Sequence, residues 1–181
     1  MQDKHILIYG ERGSGKTTMI EKLLRVNRRP VYGFCTWMTP RREDGYHSIY
    51  MHPAHDTRRE KRTENYIGDC NSRERTVHSE VFETMGVECL KHSTDGLIVM
   101  DELGFMEKDA KAFCAAVNQC FDGDTPVLAV CKARFDVDFL NALRAHPKVR
   151  PIELTIENRD AVFEELLGVI EKWNKEKPVE E

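Results

Sequence analysis

The sequence has no long hydrophobic run. None of its apolar stretches approaches the roughly 20 residues that a helix needs to cross a membrane. The first apolar stretch already begins at His5, so we expect no secretory signal peptide ahead of it. The six cysteines are scattered and form no C-x-x-C pair. We therefore expect reduced thiols, mostly in the core, in a cytoplasmic protein without a membrane partner.

The sequence also has no strong excess of charge of either sign. It contains 27 Lys and Arg against 31 Asp and Glu, for a net charge of -4. This balance gives no general reason to bind nucleic acid or an anionic membrane. A hydrophobic share of 40 % and a charged share of 32 % are typical of an ordinary soluble protein. We expect one domain over residues 1–174, followed by a charged tail at 175–181.

Strand and helix patterns alternate along the chain. The apolar runs that predict strands are at residues 5–9, 31–36, 46–51, 97–100, 127–130 and 152–155. The periodic stretches that predict helices are at residues 16–26, 79–90 and 108–121, then a short helix capped by Asp136 and a final helix capped by Asn158. The alternation predicts an α/β fold with a mostly parallel sheet and helices on both faces. The runs at 31–36 and 46–51 predict an antiparallel hairpin.

Residues 53–78 do not fit this pattern, because they are polar and carry little periodicity. A loop of that length in a compact domain is usually functional or disordered, or else it reflects a wrong assignment. Its basic residues suggest either a lid over phosphates or a nucleic-acid patch, but acidic residues are interleaved with them, which favours a solvated loop of mixed charge. The basic residues are Arg58, Arg59, Lys61, Arg62, Arg73 and Arg75.

The strongest motif is GERGSGKT at residues 10–17, which matches G-x-x-x-x-G-K-[ST] between a predicted strand and a predicted helix. Glycines let successive N–H groups turn toward one anion, and the helix N-terminus adds partial positive charge. We expect Lys16 to reach the β- and γ-phosphates of a nucleotide and Thr17 to ligate Mg²⁺. The expected nucleotide-binding residues of this loop are Gly10, Glu11, Arg12, Gly13, Ser14, Gly15, Lys16, Thr17 and Thr18. The side chains of Glu11 and Arg12 occupy variable positions, and we expect them in solvent.

A second segment, LIVMDELGFME at residues 97–107, runs from a predicted buried strand into two carboxylates. The carboxyl ends of parallel strands share one edge of the sheet, and the phosphate loop leaves from that same edge. Asp101 can therefore hold Mg²⁺ through water. Glu102 is placed to orient or deprotonate an attacking water, which makes Lys16 and Glu102 the candidate catalytic residues. Glu107 is expected to begin the next helix, where a negative charge is favourable.

Three segments together resemble the thermophilic-type nucleoside-triphosphatases, also called the cancer-related nucleoside-triphosphatase family. They are GERGSGKTT, DELGFME and LTIENRD, and the similarity extends over roughly residues 5–170. The resemblance implies a RecA-like P-loop NTPase domain, a three-layer sandwich that hydrolyses ATP, GTP and other nucleoside triphosphates to the diphosphate with Mg²⁺. It also implies that residues 97–104, and with them Asp101 and Gly104, contact the nucleotide.

The residues themselves leave two other functions open. The same loop and fold suit a nucleotide or small-molecule kinase, in which residues 53–78 could form a lid. They also suit a slow ATP- or GTP-binding accessory protein, which uses its nucleotide to change its shape and its partner. The sequence C-K-A-R at residues 131–134 lacks the aspartate of the guanine-reading motif N-K-x-D, so dedicated guanine specificity is not expected. Three cations are candidates for stabilising the transferred phosphate: Lys132, Arg134 and Arg159.

Overall fold

The computed structural model describes residues 4–176, and its centre is a seven-stranded sheet with the order β4-β3-β2-β5-β6-β1-β7. The strands are β1 (His5–Gly10), β2 (Val31–Met38), β3 (His47–Pro53), β4 (Tyr66–Cys70), β5 (Leu97–Leu103), β6 (Val127–Lys132) and β7 (Val149–Glu153). The pairs β2–β5, β5–β6, β6–β1 and β1–β7 are parallel. The pairs β2–β3 and β3–β4 are antiparallel. The mostly parallel sheet and its antiparallel edge are confirmed.

Helices cover both faces of the sheet. They are α1 (Lys16–Leu24), α2 (Ser79–Val81), α3 (Val87–Cys89), α4 (Lys111–Asp122), α5 (Asp138–Arg144) and α6 (Arg159–Lys175), with a π-helical turn at Phe82–Gly86 between α2 and α3. Apolar residues of α1 and α6 pack with one face of the sheet. Those of the 79–89 segment, α4 and α5 pack with the other. Among residues 4–176, no helix is long and apolar enough to cross a membrane.

The central strands are buried on both sides because a helix layer covers each face. In β1, Ile6 and Ile8 pack toward α1 and α6, whereas Leu7 packs toward the opposite layer. All three are fully buried. Burying such a side chain stabilises the fold by about 1.5–3 kcal/mol. This continuous apolar pattern is typical of a parallel sheet. The parallel pairing of β1 with β6 and of β6 with β5 places the carboxyl ends of the three strands at one edge.

The segment at 53–78 contains more structure than its sequence pattern indicates. A short 3₁₀ turn at Thr63–Asn65 leads into the edge strand β4. The sequence pattern does not predict this strand, because Ile67 is its only side chain in the buried hydrophobic core. The strand is held at the edge of the sheet by backbone pairing with β3. Gly68, with φ near +149°, also interrupts the apolar alternation.

Of the two expected helix caps, Asp136 is wrong, and Asn158 is right in position but makes no side-chain capping bond. Helix α5 begins at Asp138 after Val137, because the Asp136 carboxylate accepts hydrogen bonds from the Arg134 guanidinium instead. Asn158 does precede α6, but its side chain accepts from the Thr155 N–H and donates to a carbonyl of β7 rather than capping the helix. The expected tail falls partly outside the description, since α6 continues to Lys175 and residues 177–181 are not among the described residues.

His5 at the start of β1 makes stability depend on pH. Its ring is fully buried, Nδ1 accepts from the Val127 N–H at 3.2 Å, and burial lowers its pKa to about 4. The imidazole of His5 binds a proton near pH 6.5 in the unfolded chain but only near pH 4 in the folded chain. Protonation therefore favours the unfolded chain, and the folded chain loses stability as the pH falls from 6.5 toward 4. We expect the titration of His5 to lower the free energy of unfolding by about 2 kcal/mol between pH 7 and pH 5.

Urea unfolding of the wild type and His5→Gln at both pH values measures this contribution. Gln retains an acceptor for the Val127 N–H and does not titrate. We expect the wild type to lose about 2 kcal/mol more than the variant between pH 7 and pH 5. Equal losses in both proteins would show that His5 does not carry the effect.

Candidate functional site

The phosphate loop lies between β1 and α1, at the carboxyl edge of the sheet. Its shape depends on glycine at two positions, because Gly13 and Gly15 adopt φ values of +86° and +98°, which side chains disfavour. Gly10 is required for a different reason: a Cβ there would collide with the carbonyl oxygen of Leu154, just after β7. The start of the loop is therefore packed closely against the end of β7.

The Lys16 side chain folds back over this loop. Its ammonium group donates to the carbonyl oxygens of Gly10 at 2.9 Å and Glu11 at 3.0 Å, and the residue is only 7 % exposed. An ammonium has three N–H donors, so one donor is left beyond these two bonds. Lys16 is thus positioned by the loop itself and can still contact an anion.

Thr17 and Asp101 meet at the start of α1, although they lie 84 positions apart in the chain. The Thr17 hydroxyl donates to Asp101 Oδ1 at 3.3 Å. Burial, and then the neighbouring charge of Glu102, raise the pKa of Asp101 to about 6. A bound cation would favour the ionised carboxylate, which desolvation disfavours.

The oxygens of Thr17 and Asp101 fit Mg²⁺, which prefers hard oxygen ligands and usually keeps several waters or phosphate oxygens in its shell. No cluster of three or more His, Cys, Asp and Glu side chains that could hold a metal occurs in the part of the chain that the structure describes.

Ser14 adds an unused hydrogen-bonding group to the loop. Its side chain is buried, and its hydroxyl has no hydrogen-bond partner in the structure. Buried polar groups are nearly always paired, so such an atom calls for a partner. A phosphate oxygen held by the same loop would satisfy it.

A cleft of about 570 Å³ joins the phosphate loop to residues from three other strand ends. Glu102 lines it from β5, Lys132 and Arg134 from the end of β6 and the loop that follows, and Met38 from the end of β2. The loop residues that line it are Gly10, Glu11, Arg12, Gly13, Gly15, Lys16, Thr17 and Thr18. Glu102 of the second segment therefore faces the same space as the phosphate loop, whereas Asp101 lines a neighbouring cleft.

A family model described as NTPase matches residues 5–167. The chain belongs to this NTPase family. Two curated relatives are named nucleoside-triphosphatase THEP1. The protein from Methanocaldococcus jannaschii is 29 % identical over 169 residues, which is 91 % of this chain and 96 % of the relative. The protein from a Thermotoga species is 30 % identical over 178 residues, covering 94 % and 97 %.

Two solved structures of NTPases share the architecture. The crystal structure of THEP1 from Aquifex aeolicus matches with a TM-score of 0.68 and 27 % identity, over 92 % of this chain and 99 % of the other. The solution structure of a human cancer-related nucleoside triphosphatase matches with a TM-score of 0.63 and 22 % identity, over 96 % and 99 %. The second likeness concerns the fold alone.

Glu107 is not where the sequence pattern of this NTPase indicated. It does not begin a helix, because α4 starts at Lys111. Instead its carboxylate is buried beneath the turn after β5 and accepts a hydrogen bond from the Gly104 N–H. Burial raises the pKa of the Glu107 carboxyl. Glu107 therefore holds the turn that carries Gly104, and Gly104 lines a neighbouring cleft rather than the cleft of the phosphate loop.

The three candidate cations differ in position. Lys132 lines the cleft of the phosphate loop, and its ammonium lies 5.0 Å from the centre of the Phe105 ring. Arg134 also lines the cleft but forms a two-point contact with Asp136 at 2.6 and 2.7 Å. Arg159 is exposed at the first position of α6 and does not line the cleft. Lys132 thus lines the cleft and forms no direct ion pair with a carboxylate among residues 4–176.

The basic residues of 53–78 have different partners. Arg58 pairs with Asp56, and the guanidinium of Arg75 lies over the Phe105 ring. Arg59 is different, because it lines two neighbouring clefts, of about 370 and 570 Å³, that Thr17 also lines. Its backbone has φ near +53°, which is uncommon for a residue other than glycine. Sequence composition alone could not separate Arg59 from its neighbours.

Proposed function

We propose that this protein hydrolyses nucleoside triphosphates to nucleoside diphosphate and phosphate in a reaction that depends on Mg²⁺. The observation that carries the proposal is the cleft that Lys16 and Thr17 share with Glu102. Membership of the NTPase family and relatives named nucleoside-triphosphatase support it. Their names are the reason to favour water as the phosphoryl acceptor.

The triphosphate would bind through the loop at residues 10–18. Backbone N–H groups around Gly13 and Gly15 would donate to the phosphate oxygens, assisted by the N-terminal end of α1. Lys16 would place its remaining N–H donor on the β- and γ-phosphates. The unpaired Ser14 hydroxyl would supply one further contact.

Thr17 and Asp101 would hold Mg²⁺, which when bound neutralises charge on the β- and γ-phosphate oxygens. Thr17 would contribute its hydroxyl oxygen. Asp101, already within 3.3 Å of that hydroxyl, would act directly or through a water. The buried position of Asp101 strengthens its interaction with any cation, because the local dielectric is low.

Glu102 would position the attacking water and draw its proton. As the water oxygen forms a bond to the γ-phosphorus, the bond between the γ-phosphorus and the bridging oxygen breaks, and the diphosphate leaves with that oxygen's electron pair. The proton of the water passes to the Glu102 carboxylate and then to solvent. Lys132, which lines the same cleft, would stabilise negative charge on the transferred phosphoryl oxygens.

Phosphate release by the purified protein tests this proposal. The assay uses ATP, GTP, CTP or UTP with Mg²⁺, with excess EDTA as the metal-free arm and Lys16→Ala as the control for a contaminating phosphatase. We expect turnover of several nucleotides with Mg²⁺ and none with EDTA. Tight nucleotide binding without turnover would contradict hydrolysis and favour a switch that awaits its partner.

A kinase is the second candidate, and one observation favours it. A cleft of about 370 Å³ lies beside the phosphate site, and Thr17, Thr18, Glu102 and Lys132 line both spaces. Its remaining wall is partly apolar and includes Trp37 and Phe82, so a small organic acceptor would find contacts there. Nucleoside diphosphate formation without phosphate release, seen only when nucleoside monophosphates or nucleosides are added, would support this candidate over the hydrolase.

A further inference from the structure

The ring of Phe105 has three cationic side chains over it. Phe105 follows β5, in the turn that Glu107 holds. The guanidinium of Arg75 lies 4.1 Å from the ring centre, and the Lys132 ammonium and the Arg134 guanidinium each lie 5.0 Å from it. A cation within about 6 Å of the centre of an aromatic ring is attracted to the negative face of that ring. One ring therefore gathers cations from separate parts of the chain.

The cations over Phe105 differ in their other partners. Lys132 and Arg134 line the cleft of the phosphate loop. The Arg134 guanidinium donates to both carboxylate oxygens of Asp136, at 2.6 and 2.7 Å. Lys132 has no such ion pair within residues 4–176. The ring of Phe105 is therefore the partner that holds the Lys132 ammonium at the cleft.

The stem of Lys132 lies on the same turn as Phe105. A Cβ added to Gly104 would be in van der Waals contact with Lys132 Cδ at 3.5 Å and Cε at 3.6 Å, so the side chain crosses the glycine. The turn is fixed from below, because the Glu107 carboxylate accepts from the Gly104 N–H and the Glu107 carbonyl oxygen accepts from the Ala110 N–H at 2.9 Å. Phe105 itself packs against the core on the α4 side of the sheet. The outer part of the Lys132 side chain therefore rests on a fixed surface.

We propose that Phe105 is a positioning residue, which holds the Lys132 ammonium where it meets the transferred phosphoryl group. The inference rests on the proposed function, because it takes Lys132 to stabilise the charge on that group. A lysine side chain has many rotamers and loses this freedom when it is fixed. An ammonium that is ordered before the nucleotide binds loses less of that freedom during the reaction, which favours the transition state.

An aromatic ring is suited to this task for a reason that a carboxylate is not. A carboxylate paired with Lys132 would neutralise its charge and compete with the phosphate for its N–H donors. A ring face attracts the cation without a negative charge of its own, and it leaves N–H donors of the ammonium for phosphate oxygens. The Glu107 carboxylate, which could compete, is buried and already accepts from the Gly104 N–H.

Steady-state hydrolysis of ATP with Mg²⁺ tests the role of the ring. We expect Phe105→Leu to lower kcat about tenfold and to leave KM within about threefold, because Leu keeps an apolar side chain but has no π face. Phe105→Tyr keeps the ring and should retain kcat within about threefold. Phe139→Leu is the matched control, since Phe139 is partly buried against the same core and no cation lies over its ring within residues 4–176. It should leave kcat within about twofold.

A double-mutant cycle shows whether Phe105 acts through Lys132. Lys132→Ala should lower kcat about a hundredfold, and adding Phe105→Leu to it should cause no further loss. A tenfold loss from Phe105→Leu in both backgrounds would overturn the inference, because the ring would then act independently of the lysine. So would an equal loss in Phe139→Leu, or a Phe105→Tyr enzyme as slow as Phe105→Leu.

Nucleotide binding separates this inference from the proposed function. Calorimetry with Mg²⁺ compares ADP with AMP-PNP, a non-hydrolysable ATP analogue. We expect Phe105→Leu to weaken AMP-PNP about fivefold and ADP less than about twofold, because only AMP-PNP has a γ-phosphate for Lys132 to contact. The same result in a protein that releases no phosphate would remove the hydrolase and leave the positioning role standing. Equal weakening of both ligands would overturn the positioning role, whatever the rate of phosphate release by the wild type.

Discussion

Replacing Glu102 by Gln should lower kcat for phosphate release by about a thousandfold, while the Kd for ATP stays within about threefold of the wild type. General base catalysis contributes about 10²–10⁴-fold to a rate, and an amide cannot accept the proton of the attacking water. Gln keeps the size and hydrogen-bonding reach of Glu102, which lines the cleft without lying in the phosphate loop. The loss should therefore appear in kcat rather than in binding.

Glu21→Gln is a suitable control for this experiment. Glu21 lies on α1, lines the two neighbouring clefts and pairs only loosely with Arg59, at 3.4 Å. The same change of carboxylate to amide should leave kcat within about threefold, because exposed pairs of this kind contribute little. A Glu102→Gln enzyme that hydrolyses ATP at the wild-type rate would show that another group positions the water.

The parallel core could be predicted from sequence because its signals are local. Each central strand is a short apolar run bounded by turn residues, and burial on both faces removes the polar alternation that an exposed sheet would show. The edge strand β4 could not be predicted, because its placement depends on backbone pairing with β3. Its own side chains, apart from Ile67, are compatible with a solvated loop.

The part of the candidate site that lies at the ends of parallel strands could be predicted from the sequence. A motif fixes residues 10–17, and parallel topology brings the end of β5 to the same edge, which is how Thr17 and Asp101 meet across 84 positions. The prediction that Glu107 begins a helix was wrong, because a Glu at the start of a helix and a Glu buried under a turn cannot be distinguished by sequence.

Asp101→Asn should separate activity from stability. We expect kcat for phosphate release to fall by at least about a hundredfold, because the variant removes the negative charge that would hold Mg²⁺. Without metal or nucleotide at pH 8, however, we expect the variant to be more stable than the wild type by about 1–3 kcal/mol. The raised pKa of Asp101, about 6 against an ordinary 3.8, means that ionised Asp101 opposes folding. Asn still accepts the hydrogen bond from Thr17.

The pH dependence of this gain follows from the direction of the shift. The folded state binds the Asp101 proton more tightly than the unfolded state, so the wild type recovers stability as the pH falls from above 6 toward 3.8. The advantage of Asp101→Asn should therefore be largest at pH 8 and nearly absent at pH 4, as measured by urea unfolding in EDTA. Asp109→Asn, at an exposed position, should show no such trend.

A gain that persists at pH 4 would indicate better packing rather than relief of a buried charge. A gain confined to high pH would mean that the carboxylate is kept at a cost to stability, as expected of a residue retained for binding a cation.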